Sequence, residues 1–137
     1  MNIADLTKTR STCIRRQIGA VAVVDKRIIT TGYNGAPKGC AHCLDLGCLR
    51  NELGIPSGER QEICRAVHAE QNVVAQAASN GQSLKGATLY VTEKPCMICA
   101  KIIINSGINT VIYKGNYPDT LSLDIMQEAG LQLFKVD

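Results

Sequence analysis

From residue 67 onward the chain alternates, three times over, a helical segment with a short β-rich run, and this restricts the fold more than any other feature. Val67 to Ala78 is apolar at 67, 73, 74, 77 and 78 and stops near Asn80-Gly81, which predicts a helix. Thr88 to Thr92 reads as a strand. Pro95 to Ser106 reads as a helix opened by proline and closed by Gly107. Thr110 to Tyr113 is the next strand, Leu121 to Ala129 a helix ended by Gly130, and Leu131 to Val136 the last strand. Earlier in the chain, Ile18 to Val24 and Arg27 to Tyr33 are β-rich and separated only by Asp25-Lys26, which predicts an antiparallel hairpin. Residues 2 to 14 have the pattern of an amphipathic helix, with Ile3, Leu6 and Ile14 apolar. The order ββαβαβαβ predicts an α/β chain with a mixed five-stranded sheet and helices on both faces. At 137 residues the expectation is one domain, residues 1–137.

Between the hairpin and the first of these helices, Asn34 to Gln61 carries Asn34-Gly35, Pro37, Gly39, Gly47, Gly54, Pro56 and Gly58. So many breakers predict a long loop. Structureless loops beyond about 12–15 residues are uncommon in compact domains unless functional, so this one needs something to hold it. Cysteines at 40, 43 and 48, with Cys64 just beyond, make a metal the candidate. The chain has seven cysteines, an odd number, and Met1 to Arg10 has no signal-peptide core. Cytoplasmic residence is therefore expected, with the thiols serving as metal ligands or nucleophiles rather than as a disulfide framework. No apolar run approaches the ~18 residues of a spanning helix, so no membrane partner is expected. The net charge of +3 is too small to argue for a polyanion but suits a small phosphorylated ligand. Four Tyr, one Phe and no Trp leave little material for stacking single-stranded bases, so no nucleic-acid partner is expected either.

Two short words carry chemistry: His68-Ala69-Glu70 at the start of one helix and Pro95-Cys96-Met97-Ile98-Cys99 at the start of the next. Cys96 and Cys99 are three apart, neighbours on a helix face, in a first turn where free N–H groups favour thiolates. Two thiolates and a neutral imidazole from His68 balance Zn²⁺ with three protein ligands and leave a fourth position for water, the arrangement of a catalytic site. Residues two apart on an ideal helix point about 200° apart, so His68 and Glu70 cannot both address a metal on the helix flank. The metal then lies off the helix end, with Glu70 free to move a proton. Taken alone, C-x-x-C is more often a structural zinc half-site or a redox pair, and H-x-E is chance. Both words opening helices, with the proline in place, favours the catalytic reading.

H-x-E followed by P-C-x-x-C is the signature of zinc-dependent nucleobase deaminases. From Ser11 to Val136 the chain resembles the deoxycytidylate (dCMP) deaminases of the cytidine deaminase-like superfamily. The matching blocks are Ser11-Thr12-Cys13 with Ile18-Gly19-Ala20-Val21, TGYNGAPKG at 31 to 39, HAEQN at 68 to 72, ATLYVT at 87 to 92 and PCMIC at 95 to 99. Free-cytidine deaminases generally present Cys-Ala-Glu at the first word, and tRNA adenosine deaminases lack GYNG-x-P.

The resemblance implies a three-layer α/β/α cytidine deaminase-like fold and hydrolysis of dCMP to dUMP with release of ammonia. It also implies a homo-oligomer, as a hexamer, regulated by dCTP and dTTP. By position it makes His68, Cys96 and Cys99 the zinc ligands and Glu70 the proton shuttle. Asn34 becomes a sugar contact, against the alternative of a turn-forming Asn-Gly, and Tyr117 a residue of the nucleotide-binding mouth, against simple surface packing. Arg16, with Arg15 and Lys38, supplies phosphate contacts, against the alternative of solvated charges. Phage-type relatives hold a second zinc with cysteines matching 13 and 43. Adding Cys48 and Cys64 makes a closed structural site, with Cys40 and His42 as spare ligands and plain reduced thiols as the alternative. The rival functions are a deaminase of another cytosine or adenine nucleotide, a riboflavin precursor or tRNA, and a zinc-stapled module without activity, for which Glu70 would have no purpose.

Overall fold

The computed structural model describes residues 1–137. In chain order its helices are α1 (Asn2–Thr7), α2 (Cys43–Leu46), α3 (Leu49–Glu52), α4 (Ala69–Ser79), α5 (Met97–Asn105) and α6 (Leu121–Glu128). Its strands are β1 (Gly19–Val24), β2 (Arg27–Tyr33), β3 (Thr88–Val91), β4 (Thr110–Tyr113) and β5 (Gln132–Lys135). They form one sheet in the order β2-β1-β3-β4-β5. β1 is antiparallel to β2 and β3, whereas β3, β4 and β5 run parallel, so the sheet is mixed as the element order implied. The β1–β2 turn is tight because Asp25 and Lys26 both adopt positive φ, 49° and 64°, whose twist matches that of the strands.

Two glycines show how the layers stack. A Cβ on Gly19 would lie 2.3 Å from the Ala4 carbonyl oxygen in α1, and one on Gly32 would lie 2.3 Å from the Ala69 carbonyl oxygen in α4. Gly32 is paired with Ala20, the residue after Gly19, so the two glycines face opposite sides of the sheet. α1 therefore covers one face and α4 the other. Ala20, Ala22, Leu89, Val91 and Val111 lie on the α4 face, fully or almost fully buried against Val73 of α4, Ile103 of α5 and Met126 of α6. This is the three-layer α/β/α arrangement, with the main core between the sheet and α4–α6. Gly32→Ala should push α4 off β2 and cost about 1–3 kcal/mol of overpacking. For a chain of this size that lowers Tm by roughly 3–15 °C, which a thermal melt would measure.

The amino-terminal helix is shorter than its apolar pattern suggested: α1 ends at Thr7 and a 3-10 turn, Lys8–Arg10, follows. The cause is local competition for the backbone. The Ser11 hydroxyl donates to the Asn34 side-chain oxygen at 2.6 Å, and the Thr12 N–H donates to the Asn34 carbonyl at 3.3 Å, which draws this stretch onto the end of β2. The expected loop 34–61 also differs from its reading. It contains the one-turn helices α2 and α3, each ended where a glycine takes positive φ, Gly47 at 84° and Gly54 at 68°. No helix is long and apolar enough to cross a membrane.

Candidate metal centre and pocket

α4 and α5 pack against each other, and the chemistry gathers at their first turns. His68 precedes α4 in extended backbone, φ −70° and ψ 155°, because Val67 is still paired with Gly35 in an isolated β-bridge. Gln71 folds back to accept the His68 N–H at 2.7 Å, satisfying one of the free donors of the helix end. The helical angle between His68 and Glu70 therefore does not apply: His68 stands outside the helix, and its extended backbone turns the ring toward α5. Cys96 has the equivalent position before α5, and Cys99 lies in the first turn. The Met97 N–H is held by the Asp119 carboxylate at 2.6 Å.

His68 Nδ1 lies 3.6 Å from Cys96 Sγ and 3.3 Å from Cys99 Sγ. A tetrahedral zinc with ordinary Zn–S and Zn–N bonds needs ligand atoms roughly 3.5 Å apart, so the three residues fit that ion. All three ligand atoms lie within 4.8 Å of one another, and no other His, Cys, Asp or Glu cluster in the chain meets that separation. The Cys96 thiol is held down to about 4, first by S–H donation from Cys99 and then by His68. Cys99 is pushed up by the same bond and by burial. His68 is raised mainly by its bond to Cys96.

Glu70 is 4% exposed, and Cys99 Sγ reaches its Oε2 at 3.7 Å. Burial pushes its carboxyl above the usual range. Such a carboxyl holds a proton more readily than a solvated glutamate does, as a group that must take one up and pass it on requires.

A cavity of about 200 Å³ opens onto His68, Glu70 and Cys96. Asn34, Arg16 and Tyr117 also line it. Asn34 is 6% exposed and already clamps the chain: Oδ1 accepts from Ser11 Oγ and from the Ile18 N–H at 2.9 Å, and Nδ2 donates to the Arg16 carbonyl at 2.8 Å. One Nδ2 hydrogen is left to offer. Gly35 is extended and paired, so Asn34-Gly35 is not a tight turn. The Arg16 guanidinium pairs with Glu93 at 3.1 Å and lies 5.4 Å from the Tyr117 ring centre. Tyr117 accepts a hydrogen bond from Gln61 and donates its N–H to Glu93 at 3.0 Å. Arg15 lines the cavity, whereas Lys38 is exposed and away from it.

Cys13, Cys43, Cys48 and Cys64 all border the same cavity. Cys43 is raised by burial and then by Cys13, Cys64 and Cys48, so the other three thiols lie within electrostatic reach of it. They are less tightly gathered than the His68 cluster, and no three of them come within 4.8 Å. Cys40 and His42 are exposed. The lining residues that had no signal in the sequence include Arg50, Gln61 and Glu93. Arg50 and Gln61 sit in or at the end of the breaker-rich stretch, and Glu93 falls between the ATLYVT block and the zinc word that opens at Pro95, belonging to neither.

The model of the cytidine and deoxycytidylate deaminase zinc-binding region matches residues 1–114. The chain is 38% identical over 133 residues to ComE operon protein 2 of Bacillus subtilis, covering 96% of this chain and 66% of that protein. It is 36% identical over 134 residues to the deoxycytidylate deaminase of Schizosaccharomyces pombe, covering 97% of this chain and 41% of that one. The chain thus spans less than two thirds of either relative. Among solved structures, the dCMP deaminase of cyanophage S-TIM5 in complex with dCMP and dUMP superposes with a TM-score of 0.83 at 30% identity. That match covers 98% of this chain and 92% of the phage chain. The His68, Cys96 and Cys99 geometry and the matched sequence region point the same way: the chain belongs to the cytidine and deoxycytidylate deaminase zinc-binding family.

Proposed function

We propose that residues 1–137 form one deaminase domain that hydrolyses dCMP to dUMP and ammonia with a catalytic zinc. The observation that carries this reading is the ready-made His68, Cys96 and Cys99 cluster with buried Glu70 beside it, open to a cavity. The likeness to a phage dCMP deaminase solved with dCMP and dUMP supports the substrate. His68, Cys96 and Cys99 would hold the zinc, which when bound supplies a water of lowered pKa as nucleophile. Glu70 takes one proton of the attacking water and delivers it to N3 of the cytosine ring as oxygen adds to C4; it then takes the second proton from the new C4 hydroxyl and passes it to the amine, which leaves as ammonia as the C4 carbonyl forms. Its burial keeps bulk water from competing for that proton. The free Nδ2 hydrogen of Asn34 serves the sugar, and Arg16 and Tyr117 stand at the mouth.

A homo-oligomer, as a hexamer responding to dCTP and dTTP, follows from the family resemblance. The exposed Leu44, Leu46, Leu49 and Leu53 offer apolar surface for subunit contact. Cytoplasmic residence rests on the seven unpaired thiols. Ammonia release measured across cytidine, deoxycytidine, CMP, dCMP and dCTP tests the substrate assignment. dCMP should be preferred, and equal efficiency with deoxycytidine would overturn it.

The second zinc is proposed as a closed site of Cys13, Cys43, Cys48 and Cys64. Support comes from their lining one cavity and acting on the Cys43 thiol. Binding would draw the sulfurs together and pin α2, α3 and Cys64 to the stretch after α1. Two zinc ions per chain are expected, falling to one in Cys48→Ser with the catalytic site intact. Metal analysis giving one zinc in the unmodified chain ends this part of the proposal.

A further inference from the structure

We propose that Arg50 binds the phosphate of a nucleoside monophosphate substrate and so sets the preference for nucleotide over nucleoside. The inference rests on the deaminase reading above and assigns a residue that no sequence motif marks. Arg50 is on α3 and is only 8% exposed. Arginine keeps its charge when buried, so a buried guanidinium needs an anionic partner. No carboxylate of the chain lies at ion-pair distance from Arg50, and the exposed Glu62 acts with it only from farther away. The Arg50 Nε has no hydrogen-bond partner, and Arg50 takes part in none of the chain's four ion pairs. Yet it lines the cavity onto which His68, Glu70 and Cys96 open.

The carboxylates of that cavity supply no counter-ion. Its two carboxylates are Glu70 and Glu93. Glu93 is occupied by Arg16 and by the N–H groups of Lys94 and Tyr117. Glu70 lies against Cys99, beside the metal cluster. Arg15 is in a situation like that of Arg50. Its Nη1 is buried without a partner, while Nη2 donates to the Ile55 carbonyl at 2.9 Å. The Ile55 N–H in turn donates to the Arg50 carbonyl at 2.8 Å, so one short segment ties the two arginines together. Two guanidinium groups with unfilled donors match a phosphate monoester, which carries nearly two negative charges near neutrality and accepts paired N–H bonds. Arg16, already paired with Glu93, is the weaker candidate for that anion.

The test uses the zinc-loaded full chain with Arg50→Gln and Arg50→Lys. Steady-state kinetics are measured for dCMP and deoxycytidine, ³¹P NMR titrations with inorganic phosphate, and zinc by metal analysis. In Arg50→Gln the ratio of kcat/KM for dCMP to that for deoxycytidine should fall roughly 30-fold or more, mainly through KM, as losing one partner of a buried charge pair implies. Arg50→Lys keeps the charge but not the paired geometry and should lie between. Inorganic phosphate should bind the unmodified chain and be weakened at least tenfold in either variant. An unchanged dCMP-to-deoxycytidine ratio overturns the proposal. Loss of zinc from Arg50→Gln with phosphate binding retained also overturns it, because Arg50 would then be the counter-charge of a thiolate cluster. If Arg50→Gln fails to fold, Arg50→Lys decides alone. If the unmodified chain deaminates no cytosine nucleotide, the deaminase reading fails, while the phosphate titrations still decide whether Arg50 builds an anion site.

Discussion

Glu70→Gln should lower the turnover of dCMP by about 10²–10⁴-fold while leaving the metal content unchanged. The substitution keeps the shape and removes only the capacity to take up and release a proton. Glu70 is 4% exposed, so no bulk water stands in for the missing carboxyl. Its neighbour Cys99 Sγ at 3.7 Å retains an oxygen to face in the glutamine variant, so the cluster should not be disturbed. Parallel metal analysis separates the two roles: retained zinc with lost turnover supports proton transfer by Glu70, whereas near-normal kcat removes it from the mechanism. Because Glu70 is buried with its carboxyl pushed up, Glu70→Gln should not destabilise the fold at neutral pH.

Cys99→Ala should abolish both zinc binding at the His68 cluster and deamination. The Cys99 side chain is fully buried, and its Sγ is the closer of the two sulfurs to His68 Nδ1, at 3.3 Å. Changing groups that merely orient a metal's ligands costs roughly 10–100-fold in metal affinity, so deleting a ligand should cost more than that. Two ligands would remain where an open catalytic zinc needs three. Metal analysis and ammonia release on the same preparation check this, with Cys40→Ala as the control. Cys40 is exposed and outside the cavity, so its removal should leave both readouts at the level of the unmodified chain. Full zinc occupancy in Cys99→Ala would remove this cysteine from the ligand set.

The stretch most poorly read from sequence was Asn34 to Gln61. Its glycines and prolines were visible, but they say where regular structure stops and nothing of what the intervening residues touch. α2 and α3 are single turns, too short for a 3.6-residue apolar period to show. The same applies at the amino terminus, where Ile3, Leu6 and Ile14 follow a helical period but a buried Ser11–Asn34 bond ends the helix early.

What the sequence determined by itself was whatever depends on neighbours a few residues apart. The hairpin at Asp25-Lys26, the alternation of helix and strand after residue 67, and the two words that open α4 and α5 are all of this kind. A C-x-x-C at a helix start carries its geometry within one turn, so Cys96 and Cys99 were legible before any fold was known. The tertiary structure decided what depends on residues far apart in the chain. Glu93 meets Arg16 across 77 positions, Arg15 meets Ile55 across 40, and Asn34 spends three hydrogen bonds on residues 11, 16 and 18. It also left Arg50 buried without a partner on the cavity wall. No local pattern encodes such contacts, because they exist only once the sheet has set β1 beside β3 and α4–α6 have closed over one face of it.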